Sequence, residues 1–436
     1  MLAKLDGGPA GMDVTKDGKS IFVVSDGRIM KVDAEAGRVS PVTVNGEMNL
    51  NAFEERAYIY DHAWRQVSKK FYDPKIHGID WKGYKEAYAK FLPHINNNYD
   101  YQELLSELLG ELNASHTGGR YAPPQVNTDV TASLGLLYDE MYNGEGIKVM
   151  EVIEGGPFTN AKTKIKKGVI IEKIDGEAVT TNFDWSKLLN RKVGKNVLLS
   201  LYDPETKTRW DETTKPIGQG EEQGLLYTRW TKMMRKKVDE LSGGKVGYVH
   251  VQGMNDGSYR TVYEDVLGKA ADKEALIVDT RFNGGGWLHD DLVTFLGGKK
   301  YLAMSPQGVK PVSSEPFNKW TLPSTVIMSE SNYSDAFIFP YAYKNLGIGK
   351  LIGMPVPGTG TAVWWEQQID PTLVFGIPMV ATIGKENRPT ENLQLEPDIK
   401  VPNDFASILS GKDQQLERAV KEMLNEISKN KDKKGF

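Results

Sequence analysis

Ser334 and Asp335 stand in "NYSDAFIFPYAYK" (332–344), at the mouth of an apolar, aromatic-rich segment. A serine at a helix start has two ordinary uses. Its hydroxyl can cap the unpaired N–H groups of the first turn, or it can act as a nucleophile once a base takes its proton. The same N–H groups, with the positive end of the helix dipole, also favour a developing oxyanion. A second junction, "DTRFNGGGW" (279–287), carries three glycines whose backbone N–H groups no side chain covers. A tight turn needs such glycines, and so does an oxyanion hole. Singly the two junctions read as a cap and a turn. Together they describe a nucleophile beside an anion cradle.

A serine nucleophile needs a base, and the chain has six histidines to weigh. His62, His77 and His94 are scattered through a helical stretch, with no metal-binding spacing among them. His250 lies inside the strand "VGYVHVQG", which suits a packed side chain. His289, in "WLHDDL", fits either a solvated helix face or a contact with carboxylates. His116 differs: it follows Ser115 in the glycine-bounded turn "NASHTGGR" and is free to project into a cleft. Composition narrows the chemistry further. Cysteine is absent, which excludes thiol catalysis, disulfides and zinc–thiolate sites while leaving the compartment open. Net charge is −4 and the one basic block is the tail "KNKDKKGF", so nucleic acid is a poor partner. No apolar run approaches the roughly 18 residues of a membrane span, and "MLAKLDGGPAGMD" lacks a signal peptide's apolar centre.

The elements that must position these groups fall into four parts. Residues 1–46 read as β-hairpins: "SIFVVSDGRIMKVD" is two β-prone runs around Asp26-Gly27, and Asp17-Gly18 repeats the turn signal. Four short strands bury too little to stand alone, so they read as the end of a larger repeat array, with Met1 not the natural start. Residues 47–130 change to a helical period, with Tyr60, Trp64, Val67 and Phe71 on one stripe and Leu104, Leu105, Leu108, Leu109 and Leu112 on another. Asp100 and Glu103 suggest a capping box for the second helix, and Gly118-Gly119 ends the layer. Residues 131–218 alternate apolar runs with Gly and Asp turns, and "NFDWSKLLNRKVG" supplies a helix between strands. Residues 219–436 read as α/β, since runs such as Leu276–Val278 and Val326–Met328 are apolar on both faces, as in a sheet covered on each side.

Two resemblances follow from these motifs. "LGLL", "GGPFTNAKTKIKKGVIIEKIDGEAV" and the helix after them resemble a PDZ domain, which implies capture of an extended peptide, its terminal carboxylate held near Gly135, Leu136 and Leu137. "SHTGG", "DTRFNGGG", "NYSDAFIFPYAYKNLGIGKLIG" and "RPTENLQLEPDIKV" occur in the order and rough spacing of the tricorn proteases, flanking that module. The resemblance implies a multidomain α/β chain: the end of a β-propeller, a helical layer, a PDZ-like module and an α/β catalytic part shared with the carboxyl-terminal processing proteases. It further implies a serine endopeptidase acting on oligopeptides through an acyl-enzyme, without metal or cofactor. Ser334 would be the nucleophile, His116 the general base, and Ser115 and Glu391 its orienting partners, with the N–H groups of Gly285 and Asp335 as oxyanion hole. A hexameric assembly in the cytoplasm is the family's habit, although a periplasmic location stays open. The processing proteases use a lysine instead; the corresponding position here is Thr359, and the nearest lysine, Lys350, lies on another stretch. Ala336 and Phe337 depart from the family pattern, and Glu391 is followed by "NLQLEPD" without a glycine, which makes Glu396 and Asp398 alternative carboxylates. Asp290 and Asp291 are candidates for an acidic specificity pocket. An inactive peptide-binding protein or scaffold on the same fold is the competing reading.

Overall fold

The computed structural model describes residues 2–5, 7–47, 49–160, 162–181, 183–310 and 312–431; the basic tail from Asp432 on lies outside them. The chain divides into two compact units, Met1–Tyr58 and Ile59–Phe436. The first holds an antiparallel meander in chain order, β1 (Pro9–Val14), β2 (Ser20–Ser25), β3 (Arg28–Asp33) and β4 (Val39–Pro41). Asp26 and Gly27 both take positive φ (48° and 73°), giving the tight turn whose twist matches the strands it joins. Val23 and Val32 are buried, whereas Met12 is 72% exposed, so the meander has little core of its own.

In the second unit the helical layer is α1 (Ala52–Lys70, from Ile59 on), α2 (Trp81–Ala89) and α3 (Asn98–Gly110). The expected stripes face inward: Tyr60, Val67, Leu105 and Leu108 are buried together. The cap of α3 is not the expected one. Asn97 accepts from the N–H of Asp100 at 3.0 Å, so the helix starts one turn earlier and Asp100 sits inside its first turn. The layer's core is closed by distant chain. Strand β5 (Gly119–Tyr121) pairs with a later strand, Leu373–Ala381, whose Leu373, Phe375 and Ile377 complete the helical cluster.

A separate sheet follows, of β6 (Leu136–Tyr138), β7 (Ile147–Val152), β8 (Ile170–Ile174), β9 (Glu177–Ala178), β10 (Val197–Asp203) and β11 (Thr208–Thr214), in the order β11-β10-β8-β7-β6 with β9 on β8. The helix expected from "NFDWSKLLNRKVG" is one short 3-10 turn, Trp185–Leu189. Asp184 caps it, and Arg191 at φ 60° turns the chain away just after it.

Helix α4 (Gln219–Ser242) leads into a parallel sheet. Its strands and crossing helices are β12 (Val246–His250), α5 (Asp256–Glu264), β13 (Ala275–Asp279) and α6 (His289–Leu296). After the hairpin β14 (Leu302–Met304) and β15 (Ser313–Glu315) come β16 (Ser324–Met328), α7 (Asp335–Asn345) and β17 (Lys350–Gly353). Strands β18 (Thr361–Gln367) and β19 (Leu373–Ala381) leave this sheet to join β5, and β20 (Ile399–Lys400) returns to pair with β17 before α8 (Phe405–Leu409) and α9 (Gln414–Lys431). Alternate residues of the parallel strands divide between two layers. Leu276, Val278, Val326 and Met328 pack with α5, α6 and α7, whereas Ala275, Ile277 and Ile327 pack with α4 and α9. That double covering is why the runs are apolar on both faces. β13 and β16 are adjacent and in register to their ends, Asp279 opposite Ile327, so the loops carrying "NGGG" and "NYSD" emerge side by side. Among the described residues no helix is long and apolar enough to cross a membrane.

Candidate active site

Where β16 ends, the chain turns sharply into α7 and Ser334 takes φ 56°, ψ −124°. A side chain pays for that conformation in strain, and such residues persist only where their surroundings hold them. Here the Ser334 N–H donates to Thr359 Oγ1 at 2.7 Å, and the carbonyl accepts from Phe337 N at 2.8 Å. The hydroxyl does not cap the helix. It lies 2.8 Å from Nε2 of His116.

His116 arrives from the turn between α3 and β5, itself at φ 62° and only 9% exposed. The turn nests against β19 because Gly376 has no side chain: a Cβ there would stand 2.1 Å from the His116 carbonyl oxygen. The His116 N–H donates to Tyr333 Oη at 2.6 Å, and the two rings lie 4.8 Å apart. On the far side of the imidazole, Nδ1 is 2.9 Å from Ser115 Oγ. Ser115 in turn meets one carboxylate twice, its N–H donating to Glu391 Oε1 at 2.5 Å and its hydroxyl to Oε2 at 3.0 Å. An ionised carboxylate only accepts, which sets the direction of the chain. Ser115 donates to Glu391, His116 Nδ1–H donates to Ser115, and Nε2 is left to accept from Ser334. Burial, with Arg120 nearby, pushes the His116 imidazolium down to about 4, and burial pushes the Glu391 carboxyl up. At neutral pH the ring is therefore uncharged, the form able to take a proton.

Glu396 and Asp398 are not part of this chain. Glu396 accepts from Gln394, while Asp398 pairs with Lys344 at 3.0 Å and accepts from Leu351 N. The absence of glycine after Glu391 is met by Asn392 at φ 59°, a conformation that Asn tolerates better than most residues. Ala336 and Phe337 are buried under the parallel sheet and so do not face the site. Lys350 pairs with Glu422 instead, and the corresponding Thr359 holds the Ser334 amide.

The glycine loop approaches the serine as closely as backbone can. At Gly285 (φ 98°) a Cβ would lie 2.6 Å from Ser334 Cβ, and at Gly286 it would lie 2.0 Å from the Met254 carbonyl oxygen. One detail departs from the expected cradle: the Gly285 N–H donates to Asn283 Oδ1 at 2.8 Å, so Asn283 competes for it. Asp335 has a second use as well. Its buried carboxylate accepts from the N–H groups of Leu288 and His289 and from His289 Nδ1, raising the pKa of that imidazole and tying the start of α6 to the start of α7. Asp290 and Asp291 are exposed in the first turn of α6. A cavity of about 570 Å³ opens beside Ser115, Thr117, Tyr333, Thr359 and Glu391.

Several supports escaped the sequence reading. Asn283 donates to Val251 O at 2.8 Å, Asn332 donates to Thr280 Oγ1 at 2.9 Å, and Tyr333 N donates to Asn283 O at 3.0 Å, so the two loops are stitched together. Beneath them, buried Arg281 bridges Asp279 at 2.6 Å and Asp413 at 2.9 Å. At the other expected site, Gly135 (φ 65°) precedes β6, an edge strand. Its N–H is already taken by Ser133 Oγ at 2.9 Å, and Leu136 is buried.

The profile of the tricorn protease C1 domain matches residues 52–110, and that of peptidase family S41 matches residues 245–401. The tricorn protease of Thermoplasma acidophilum is 26% identical over 389 residues, covering 86% of this chain and 35% of that protein. Tricorn protease homolog 1 of Streptomyces coelicolor is 26% identical over 439 residues, covering 94% and 40%. The chain is related to the tricorn proteases. A crystal structure of the tricorn protease superposes with a TM-score of 0.83 at 23% identity, over 96% of this chain and 42% of that one, so this tricorn relative shares that mixed α/β fold. It spans less than half the length of these tricorn proteins.

Proposed function

We propose that this tricorn relative is a serine peptidase that hydrolyses oligopeptides through an acyl-enzyme. The observation that carries the reading is the 2.8 Å contact between Ser334 Oγ and His116 Nε2, made by a serine at a helix start whose hydroxyl does not cap the helix. In this mechanism Nε2 takes the hydroxyl proton as Oγ attacks the scissile carbonyl carbon. The imidazolium is held by Ser115 and the Glu391 carboxylate behind it. The oxyanion is met by the Asp335 N–H at the start of α7 and by the Gly285 N–H, which swings from Asn283 to do so. Collapse breaks the C–N bond, His116 passes its proton to the departing amine, and water activated by His116 then hydrolyses the ester to restore Ser334. No step needs a metal or cofactor.

The other parts fit the same reading. Residues 131–218 act as a PDZ-like module, with β6 as the sheet edge to which a peptide strand adds near Leu136 and Leu137. Because the Gly135 N–H is engaged, a terminal carboxylate would be met by the amides that follow it. Residues 1–46 serve as a propeller blade, 47–130 and 219–436 supply the two sides of the catalytic centre, and a homo-oligomer is the working assembly. A fluorophosphonate probe tests the activity: covalent labelling at Ser334, abolished in Ser334→Ala together with peptide hydrolysis, is the expected result. Folded protein that neither labels nor cleaves, yet binds peptide, would establish the competing binding-protein reading.

A further inference from the structure

His116 Nδ1 faces two hydroxyls. Besides Ser115 Oγ at 2.9 Å, Thr361 Oγ1 lies 3.1 Å away, and the two hydroxyls are 3.1 Å from each other. Thr361 is 3% exposed, so a solvent molecule has little room to replace it. Its hydroxyl also helps to hold the charge on Glu391. The threonine is firmly seated. It opens β18 directly after Gly360, where a Cβ would come within 2.0 Å of Thr390 Oγ1, and the Gly360 carbonyl accepts from Thr382 Oγ1 at 2.6 Å. Thr359, two residues earlier, pins the Ser334 amide, so one short segment reaches both the nucleophile and the base.

With Nδ1–H as donor, two hydroxyls stand at nearly equal distance to accept it, and Ser115 carries the connection on to Glu391. We propose that Thr361 is a second positioning residue for His116, redundant with Ser115. Either hydroxyl alone fixes the Nδ1–H tautomer and the orientation of the ring, which is lost only when both are gone. Thr361 touches neither substrate nor the reacting atoms and acts through His116. The inference rests on the reading of Ser334 and His116 as nucleophile and base.

The test compares wild type, Ser115→Ala, Thr361→Val, Thr361→Ser and the double variant Ser115→Ala/Thr361→Val. Peptide hydrolysis and the rate of fluorophosphonate labelling at Ser334 are measured, with thermal melts to confirm folding. Each removal alone should lower kcat by about 10-fold with KM little changed, and the double by about 10³-fold or more, approaching the whole worth of a general base. Thr361→Ser should stay within about 3-fold of wild type, because it keeps the hydroxyl but not the methyl group. A double variant no worse than the product of the singles, or a Thr361→Ser as impaired as Thr361→Val, overturns the inference while labelling of wild type keeps the peptidase reading intact. Wild type that folds but never labels at Ser334 removes both. If Thr361→Val does not fold, Thr361→Ala replaces it in the same comparison.

Discussion

Replacing Gly285 by alanine should damage catalysis far more than it damages the fold, and the neighbouring Gly284→Ala should do neither. At Gly285 φ is 98°, and the added methyl carbon would sit 2.6 Å from Ser334 Cβ, 2.7 Å from the Tyr333 carbonyl oxygen and 3.1 Å from Asp335 N. None of those atoms is the free end of a flexible chain, and the two loops are joined by the bond from Tyr333 N to Asn283 O, so neither can retreat independently. The positive φ alone costs alanine about 1–2 kcal/mol. Relief of the overlap would move the Gly285 amide away from the position proposed for an oxyanion donor, and loss of one such donor lowers a rate by about 10²–10³-fold. At Gly284 a Cβ meets nothing within 4 Å and φ is not in the left-handed region, so alanine fits there. Both variants would be assayed for kcat/KM on a fluorogenic oligopeptide, with thermal melts alongside. Full activity in Gly285→Ala, or equal losses in both variants, would show that the glycines serve only the turn and would refute the oxyanion reasoning.

Other consequences are open to measurement. Ser334→Gly should melt higher than Ser334→Ala, because glycine relieves a backbone strain of about 1–3 kcal/mol that alanine keeps, and both should be inactive; a Ser334→Ala that melts at or above Ser334→Gly contradicts the strain. The acid limb of kcat/KM should fall near pH 4, where burial places His116, and not near the ordinary histidine value of about 6.5; a limb at 6.5 rejects the buried base. The same depression makes the unfolded chain the first to take the proton on acidification, so His116 should subtract stability as pH falls from about 6.5 to 4, read by urea midpoints across that window. Arg281→Met should cost about 3–5 kcal/mol, because it leaves buried Asp279 and Asp413 without their cation. A cost below about 1 kcal/mol in urea unfolding would mean that the carboxylates find other partners.

What the sequence made legible was the set of groups with chemistry in their side chains and the periodicity of the elements beneath them. The apolar runs of β13 and β16 announced a sheet covered on both faces, and "SHTGG", "NGGG", "NYSD" and "TENLQ" announced loops with something to hold. The stripes of α1 and α3 were equally plain. Three kinds of information were not in the local pattern. The cap of α3 turned on which of two neighbouring polar residues reached back first, a choice of one turn that Asn97 won with its bond to Asp100 N. The helix expected near Trp185 shrank to a single turn because Asp184 and Arg191 bracket it closely. β19, read as part of the α/β half, instead closes the core of the helical layer, a pairing with β5 across roughly 250 residues that no short-range period can encode.

The supports of the site were illegible for a related reason. A threonine at 359 or 361 looks like any strand residue until the fold sets its hydroxyl beside an amide or an imidazole. The question of whether Ser334 caps or reacts had the same character. Composition allowed both, since a capping serine and a nucleophile occupy the same kind of position. Geometry separates them: in the usual cap the residue is extended and its hydroxyl folds back to N2 or N3. At φ 56°, ψ −124° the chain instead points Oγ at Nε2, while the Phe337 and Ile338 N–H groups of the first turn of α7 bond the Ser334 carbonyl. The strain at Ser334 thus divides one helix terminus between two tasks. The hydroxyl faces His116, and in the proposed mechanism the Asp335 N–H of the same terminus meets the charge that attack would create.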